Sequence, residues 1–244
     1  MAKYISFSVY GTKQAYQIGA LENAQLRNKF YPGWQSIFFV DKSISPDFSQ
    51  KLANLDARVE IKDLSEDPHG MFWRFEAVKI PDAEAVVFRD TDSRLSRRES
   101  LAVGDWVSSD FDLHVMRDHP FHSFWILGGM WGAKGSLLNQ IAEALSKRIT
   151  ESPRWGLDQE WLARNVYKPN KYNALVHDSF FNRERSSLFP SPRVDGAYVG
   201  ESVDESGAFS QDLRELVRRA DRHSLYVQKL RARDWFRIRM EQAL

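Results

Sequence analysis

The sequence predicts one α/β domain: a mostly parallel central sheet with helices on both faces, followed by a C-terminal helix. Three observations carry this. Strand-like and helix-like stretches alternate through the first half of the chain. Two strand-like stretches, "QSIFFVD" (35–41) and "EAVVFRD" (84–90), are apolar on consecutive residues, as strands covered on both faces are. The chain has 244 residues, 43% hydrophobic and 27% charged, which suits one domain with an ordinary core.

The elements follow in order. "YISFSVYG" (4–11) alternates and is read as a first strand ending at Gly11. Ala15, Ile18, Leu21, Ala24, Leu26 and Phe30 recur at helical spacing over 13–30, and "YPGW" (31–34) ends that helix. Residues 35–41 form the second strand and "ARVEIKDL" (57–64) a shorter third. "HGMFWRFEAVKI" (69–80) is read as a helix stopped by Pro81, and 84–90 as the fourth and most buried strand. Ser96 and Glu99 have the spacing of a capping box, so a helix should run from about Ser96 to Val107. "DLHVMRD" (112–118) and "WILGGMWGAKG" (125–135) are strands, the glycines of the second permitting close backbone approach. Helices over 136–149 and 157–166 precede a late strand, "NALVHDSF" (173–180). The Pro-, Gly- and Ser-rich stretch 189–207 is a loop or edge. Residues 211–243 are helical, with a loose apolar stripe through Leu213, Leu216, Val217, Leu225, Leu230, Trp235 and Ile238.

Composition excludes several classes. There is no cysteine, so no disulfide, thiolate metal site or cysteine nucleophile, and a reducing, cytoplasmic setting is expected. The start "MAKYISFSVYG" lacks the pattern of a signal peptide, and no apolar run approaches the roughly 20 residues of a membrane span. The net charge of +1 divides unevenly: residues 211–244 carry nine Arg or Lys against five Asp or Glu, a net of +4, leaving about −3 elsewhere. That does not describe a nucleic-acid binder. The basic C-terminal helix could touch an anionic membrane at the inner face, although a solvated, packed helix is commoner. Aromatic content of 13%, with eight Trp, suits a site that stacks flat or sugar-like ligands.

The central motif is "FRDTDSR". Residues i and i+2 of an extended segment point to one side, so Asp90 and Asp92 can present two carboxylates to one point at the end of the fourth strand. Two close carboxylates resist joint ionisation unless a cation lies between them. Mg²⁺ or Mn²⁺ would suit such oxygen ligands. The plainer alternative is a polar turn before the dipole of the next helix. Arg89 and Arg94 flank the pair, so an anionic ligand could meet metal and guanidinium together. A second Asp-x-Asp, Asp110 and Asp112, is read as a solvated turn.

The order of parts resembles nucleotide-sugar-dependent glycosyltransferases of the GT-A fold, over roughly residues 4 to 200. It lies in "SFSVYG…YQIGALENA", "FRDTDSRL", "WILGGMWGAK", "GLDQEWL" and "ALVHDSF". The layout is similar to galactosyltransferase- and glycogenin-like enzymes, and to bacterial and phage-borne proteins carrying "RDxDSR" and "GGMWG". The resemblance implies a catalytic domain over 1–210 with a helical extension over 211–244 packed on it. It implies Mn²⁺ or Mg²⁺ held by Asp90, Asp92 and His177, with Asp158 and Gln159 at the transferred sugar. Gly128, Gly129, Met130 and Trp131 would line the sugar or acceptor pocket. Tyr10, Gly11 and Tyr16 would contact the nucleotide, and Arg74, Arg89 and Arg94 the diphosphate. The implied reaction moves a sugar from a UDP- or GDP-sugar to a hydroxyl acceptor, in surface or capsular glycan synthesis. Where those enzymes follow the histidine with Gly and Lys, this chain has "HDSFFNRERSS", with Arg183 or Arg185 as the basic residues there.

Alternatives stay open at this level. Asp158 could cap its helix, and His177 could be a hydrogen-bonded core residue. His119 and His122 beside Asp118 invite a zinc reading, but Pro120 opposes a helix and no third ligand is evident. "GTKQAYQIG" has neither the dinucleotide fingerprint nor a P-loop. A nucleotidyltransferase making a nucleotide-sugar, or a non-catalytic binding domain of the same fold, remain as rivals.

Overall fold

A computed structural model describes residues 2–148, 152–181, 183 and 186–223. Seven strands form one sheet: β1 (Ala2–Val9), β2 (Trp34–Asp41), β3 (Arg58–Lys62), β4 (Ala83–Arg89), β5 (Leu113–Arg117), β6 (Met130–Lys134) and β7 (Ala174–Asp178). Their spatial order is β3-β2-β1-β4-β6-β5-β7. All pairings are parallel except those of β6, which runs antiparallel to both β4 and β5. The expected single α/β domain with a mostly parallel sheet is what forms.

The sheet is covered on both faces, as the apolar runs require. Along β4, Val86 and Phe88 enter one core with Trp131 and Phe75, while Ala85 and Val87 enter the other with Ile5, Phe7 and Trp106. Phe88 stacks on Trp131 with ring centroids 4.0 Å apart, across the registered pair of β4 and β6. Burying each of these two side chains contributes on the order of 2–3 kcal/mol.

Helices α1 (Gln14–Phe30), α2 (Pro46–Asn54), α3 (Gly70–Trp73), α4 (Arg97–Val107), α5 (Ser136–Ser146), α6 (Leu157–Leu162), α7 (Lys168–Asn170) and α8 (Gln211–His223) complete the described part. Ser96 caps α4, its hydroxyl accepting from the Glu99 amide at 3.3 Å, as the capping box predicts. Helix α2 is not among the expected elements, although its signal is plain: Ser45 accepts from Asp47 N–H, and Pro46 opens the helix.

Two expected elements depart from prediction for an identifiable reason. The helix over 69–80 is α-helical only to Trp73 and tightens to a 3₁₀ helix over Arg74–Lys79. Serines of β1 engage its backbone there: Ser6 Oγ donates to the Arg74 carbonyl (2.6 Å), and Arg74 N–H donates to Ser8 Oγ (2.9 Å). The strand over 125–135 begins only at Met130. Before it, the buried Arg117 guanidinium binds the carbonyls of Phe124 (3.1 Å) and Trp125 (2.5 Å), so those groups cannot join a ladder.

The described part of the C-terminal extension lies on the domain. Val217 is buried, Arg214 donates to Glu201 (2.5 and 2.8 Å), and Arg193 reaches Asp221 (2.6 Å). The helix expected beyond His223 lies outside the described residues.

The topology fixes where a ligand can sit. The chain builds β1-β2-β3 outward, then returns to lay β4 on the other side of β1. Crevices form at the carboxyl ends of strands where the order reverses in this way. Asp90 follows β4 and Tyr10 follows β1 at that point.

Candidate functional site

A cleft of about 270 Å³ opens at this reversal. Ser8, Tyr10 and Tyr16 come from β1 and the start of α1; Met71 and Arg74 come from α3 and the turn after it. Asp90, Thr91 and Asp92 follow β4, Gly128 precedes β6, and Trp155, Gly156, Asp158 and Gln159 open α6. Six predicted residues from four separate segments therefore meet with Asp90 and Asp92 in one cleft: Tyr10, Tyr16, Arg74, Gly128, Asp158 and Gln159.

Arg74 stands at the centre. Its side chain is 7% exposed, and its two terminal nitrogens donate to different carboxylates, one to Asp90 and the other to Asp158 at 2.9 Å. These two partners hold the guanidinium firmly in its charged form despite burial. Asp158 sits in the first turn of α6, where its carboxylate also accepts from the Gln159 N–H (2.9 Å); Gly156, at φ +80°, occupies the cap position. Burial raises the Asp158 carboxyl, Arg74 opposes that, and Asp90 adds to the rise.

Two glycines let this cluster close. A Cβ on Gly128 would collide with the Asp158 carboxylate and lie 2.5 Å from Arg74 Nη2. A Cβ on Gly129 would collide with the Asp90 carboxylate and lie 2.8 Å from its backbone nitrogen. The glycines reach Asp90 because β6 is antiparallel, which pairs Met130 with Arg89. Burial and then the neighbouring Asp90 push the Asp92 carboxyl up to about 6.

The donor set suits a divalent cation. Asp90, Asp92 and Asp158 face one guanidinium, so the cleft holds an excess of negative charge. Among the described residues no group of three or more His, Cys, Asp or Glu could hold a metal by themselves. Two carboxylates completed by water and substrate phosphate oxygens is how Mg²⁺ is commonly held. Gln159 Oε1 is buried and accepts no hydrogen bond, leaving a polar group for a ligand hydroxyl.

Several expected site residues lie elsewhere. His177 is not brought to Asp90 and Asp92. It alternates with Leu175 on the face of β7 that packs against Phe189 and α4, where it pairs with His114 (Nδ1 to Nε2, 2.9 Å) and approaches Asp105 (3.9 Å). Asp90 follows the parity of Phe88, which enters the opposite core, and β6 and β5 lie between β4 and β7. The core reading of His177 therefore replaces the ligand reading.

Arg89 is a core residue, not a diphosphate contact. It is fully buried on the other face and donates to Glu99 (2.8 Å) and to the Gly129 carbonyl (2.5 Å), while Tyr31 donates to Glu99 (2.8 Å). Arg94 turns behind the Asp-Thr-Asp segment, pairing with Glu22 and donating to the Thr91 carbonyl (3.1 Å). Met130 and Trp131 are buried in the two cores rather than lining a pocket. Gly11 turns the chain out of β1 at φ +78° but does not line the cleft.

The other constellations are structural. His119 and His122 act as acceptors in a turn, from Phe121 N–H (3.0 Å) and Asp118 N–H (3.1 Å). Asp118 is buried between Arg98 and Arg193, which hold its carboxyl well below the usual range against the cost of burial. Arg183 donates to the Ser123 carbonyl (2.7 Å), and Arg185 lies outside the described residues. Sequence reasoning missed Ser8, Met71, Thr91, Trp155 and Gly156 as cleft residues. The signal for the last two was a Trp-Gly pair directly before the "LDQ" that opens α6.

No family model matches the chain, and no curated protein does. Solved structures with a similar course include a glycosyltransferase involved in glycosylation of the major capsid of PBCV-1 (TM-score 0.49, 16% identity, covering 73% of this chain and 82% of that one). Another is glucosyl-3-phosphoglycerate synthase from Mycobacterium tuberculosis in complex with Mn²⁺, UDP and phosphoglyceric acid (TM-score 0.49, 14% identity, 72% and 68%). A third is 4-diphosphocytidyl-2C-methyl-D-erythritol synthase from Anaerococcus prevotii (TM-score 0.48, 9% identity, 75% and 91%).

Proposed function

We propose that this chain is a divalent-metal-dependent glycosyltransferase that moves a sugar from a nucleoside-diphosphate donor to a hydroxyl. The observation that carries this is the meeting of Asp90, Asp92, Arg74 and Asp158 in one cleft at the sheet's reversal. Asp90 and Asp92 are the residues that would hold Mn²⁺ or Mg²⁺. A bound ion there supplies Lewis-acid stabilisation to the departing diphosphate.

The chain's own groups fit the remaining tasks. In the transfer, the bond between anomeric carbon and phosphate oxygen breaks, and its electron pair leaves on the nucleoside diphosphate. The acceptor oxygen forms the new bond and gives up its proton. Arg74 can meet phosphate oxygens with charge-assisted hydrogen bonds. Asp158, raised by burial, suits proton acceptance or stabilisation of an oxocarbenium-like centre. Tyr10 and Tyr16 offer ring faces to the base. Burial pushes the Tyr10 hydroxyl up to about 12, so it stays a neutral donor.

The test is nucleotide release from UDP-, GDP- and CMP-sugars with Mn²⁺, with and without EDTA. Metal-dependent release supports the proposal. Pyrophosphate release from a nucleoside triphosphate and a sugar phosphate would instead identify a nucleotidyltransferase. The turn after β1 holds a single cation, Lys13, which lies over the Tyr16 ring (5.7 Å), a weak cradle for a triphosphate. Nucleotide binding with neither release would identify a binding domain.

A further inference from the structure

We propose that Trp155, Phe124 and Trp125 form a platform on which a saccharide acceptor lies, an inference that rests on the glycosyl-transfer reading of the adjoining cleft. Large aromatic side chains scattered singly on a surface need no explanation, but a contiguous group does. Trp155 is 80% exposed, Trp125 47% and Phe124 41%. Phe124 and Trp155 touch edge to face at 6.2 Å, although they come from separate loops. Trp125 stacks on Tyr167 at 5.7 Å and carries the Arg183 guanidinium over its ring at 4.9 Å.

The rings are held in place without being buried. The fully buried Arg117 binds the backbone carbonyls of both Phe124 and Trp125, fixing the loop while leaving the side chains outside. Both ring-bearing segments then run into the reacting cluster. The first continues to Gly128 and Gly129, packed on Asp158 and Asp90. The second continues through Gly156 to Asp158. Trp155 itself forms part of the cleft wall. A ligand lying on these rings would present its end to Asp158.

The chemistry of the surface selects a sugar. Pyranose rings offer an apolar C–H face that suits an exposed aromatic ring, with hydroxyls left for polar groups at the edge such as Arg183. The cleft also holds Tyr10 and Tyr16, which the donor reading assigns to the base. An anionic bilayer would be drawn by unpaired cations around the rings. Arg154 beside Trp155 is instead neutralised by Glu160 (2.6 and 2.7 Å).

The full chain is tested on an array of oligosaccharides with glucosyl, galactosyl, mannosyl and N-acetylhexosaminyl ends. Bound species are then titrated by saturation-transfer NMR, and UDP with Mn²⁺ is titrated separately by calorimetry. The expected result is binding of at least one saccharide class, with Trp155→Ala weakening it about tenfold more than it weakens UDP with Mn²⁺. Trp155→Phe should recover most of the loss, and circular dichroism checks that each variant folds. UDP binding with no saccharide bound would overturn the platform and leave the donor reading standing. So would Trp155→Ala losing UDP rather than saccharide, or Trp155-dependent binding to phosphatidylserine vesicles in place of saccharide. Binding of neither UDP nor any saccharide would sink both readings together.

Discussion

Asp90 and Asp158 meet through a single guanidinium: Arg74 donates to both, reaching Asp158 at 2.9 Å from a side chain only 7% exposed. The contact joins the end of β4 to the start of α6 and sets the centre of the cleft. Asp90 is 49% exposed, so its share of this pairing is screened by solvent; the buried Asp158 has no such relief.

Arg74→Gln should therefore destabilise the fold by about 3 kcal/mol, chiefly by stranding Asp158 without its cation. Urea unfolding measures that cost, and nucleotide release from the donor sugar should fall with it. A variant of unchanged stability would show that the Asp158 pair is not formed in solution.

Asp92→Asn should separate function from stability. Burial and Asp90 hold the Asp92 carboxyl up to about 6, so its ionised form is strained in the folded state at neutral pH. The amide removes that charge and should stabilise the protein by about 1–2 kcal/mol. Mn²⁺ binding and turnover should be lost together. Full activity in this variant would dismiss the metal assignment.

Gly129→Ala should damage the site from beneath. Its Cβ would lie 2.8 Å from the Asp90 backbone nitrogen as well as against the carboxylate, so a rotamer change at Asp90 cannot clear it. We expect a loss of about 1–3 kcal/mol, typical of overpacking, together with weakened Mn²⁺ binding. Thermal unfolding and metal titration read the two effects separately.

Arg89→Met should cost about 3–5 kcal/mol, because it leaves the buried Glu99 carboxylate without its cation. The double variant Arg89→Met, Glu99→Leu should regain much of that loss. A diphosphate-binding role for Arg89 predicts the reverse pattern: little effect on folding and a large effect on UDP affinity.

Stability should fall on acidification through the buried His114–His177 pair. Burial holds His177 down to about 4 and His114 well below its ordinary value. The unfolded chain, with histidine near 6.5, binds more protons between those values. Stability is therefore full above about pH 6.5 and declines as pH drops toward 4, by about 3 kcal/mol for His177. His177→Gln should flatten the dependence of unfolding midpoint on pH across this window.

The sequence by itself determined the layers and the location of the acidic pair. Consecutive apolar residues in β2 and β4 required cover on both faces, Ser96 and Glu99 marked the start of α4, and Asp90 and Asp92 had to leave the end of a buried strand. These are local signals, carried by period and by neighbours in the chain. Tertiary structure decided which distant residues share the cleft. Arg89 and Asp90 are adjacent, yet strand parity sends one into a core pair with Glu99 and the other into the cleft with Arg74. His177 likewise lies on the face away from Asp90, beyond two intervening strands. Strand direction mattered as much: an antiparallel β6 carries Gly129 to Asp90, and no spacing between residues 90 and 129 encodes that reversal. Sequence period fixes which side chains alternate, while the face each set occupies and the partners it meets depend on how the strands are ordered and directed in space.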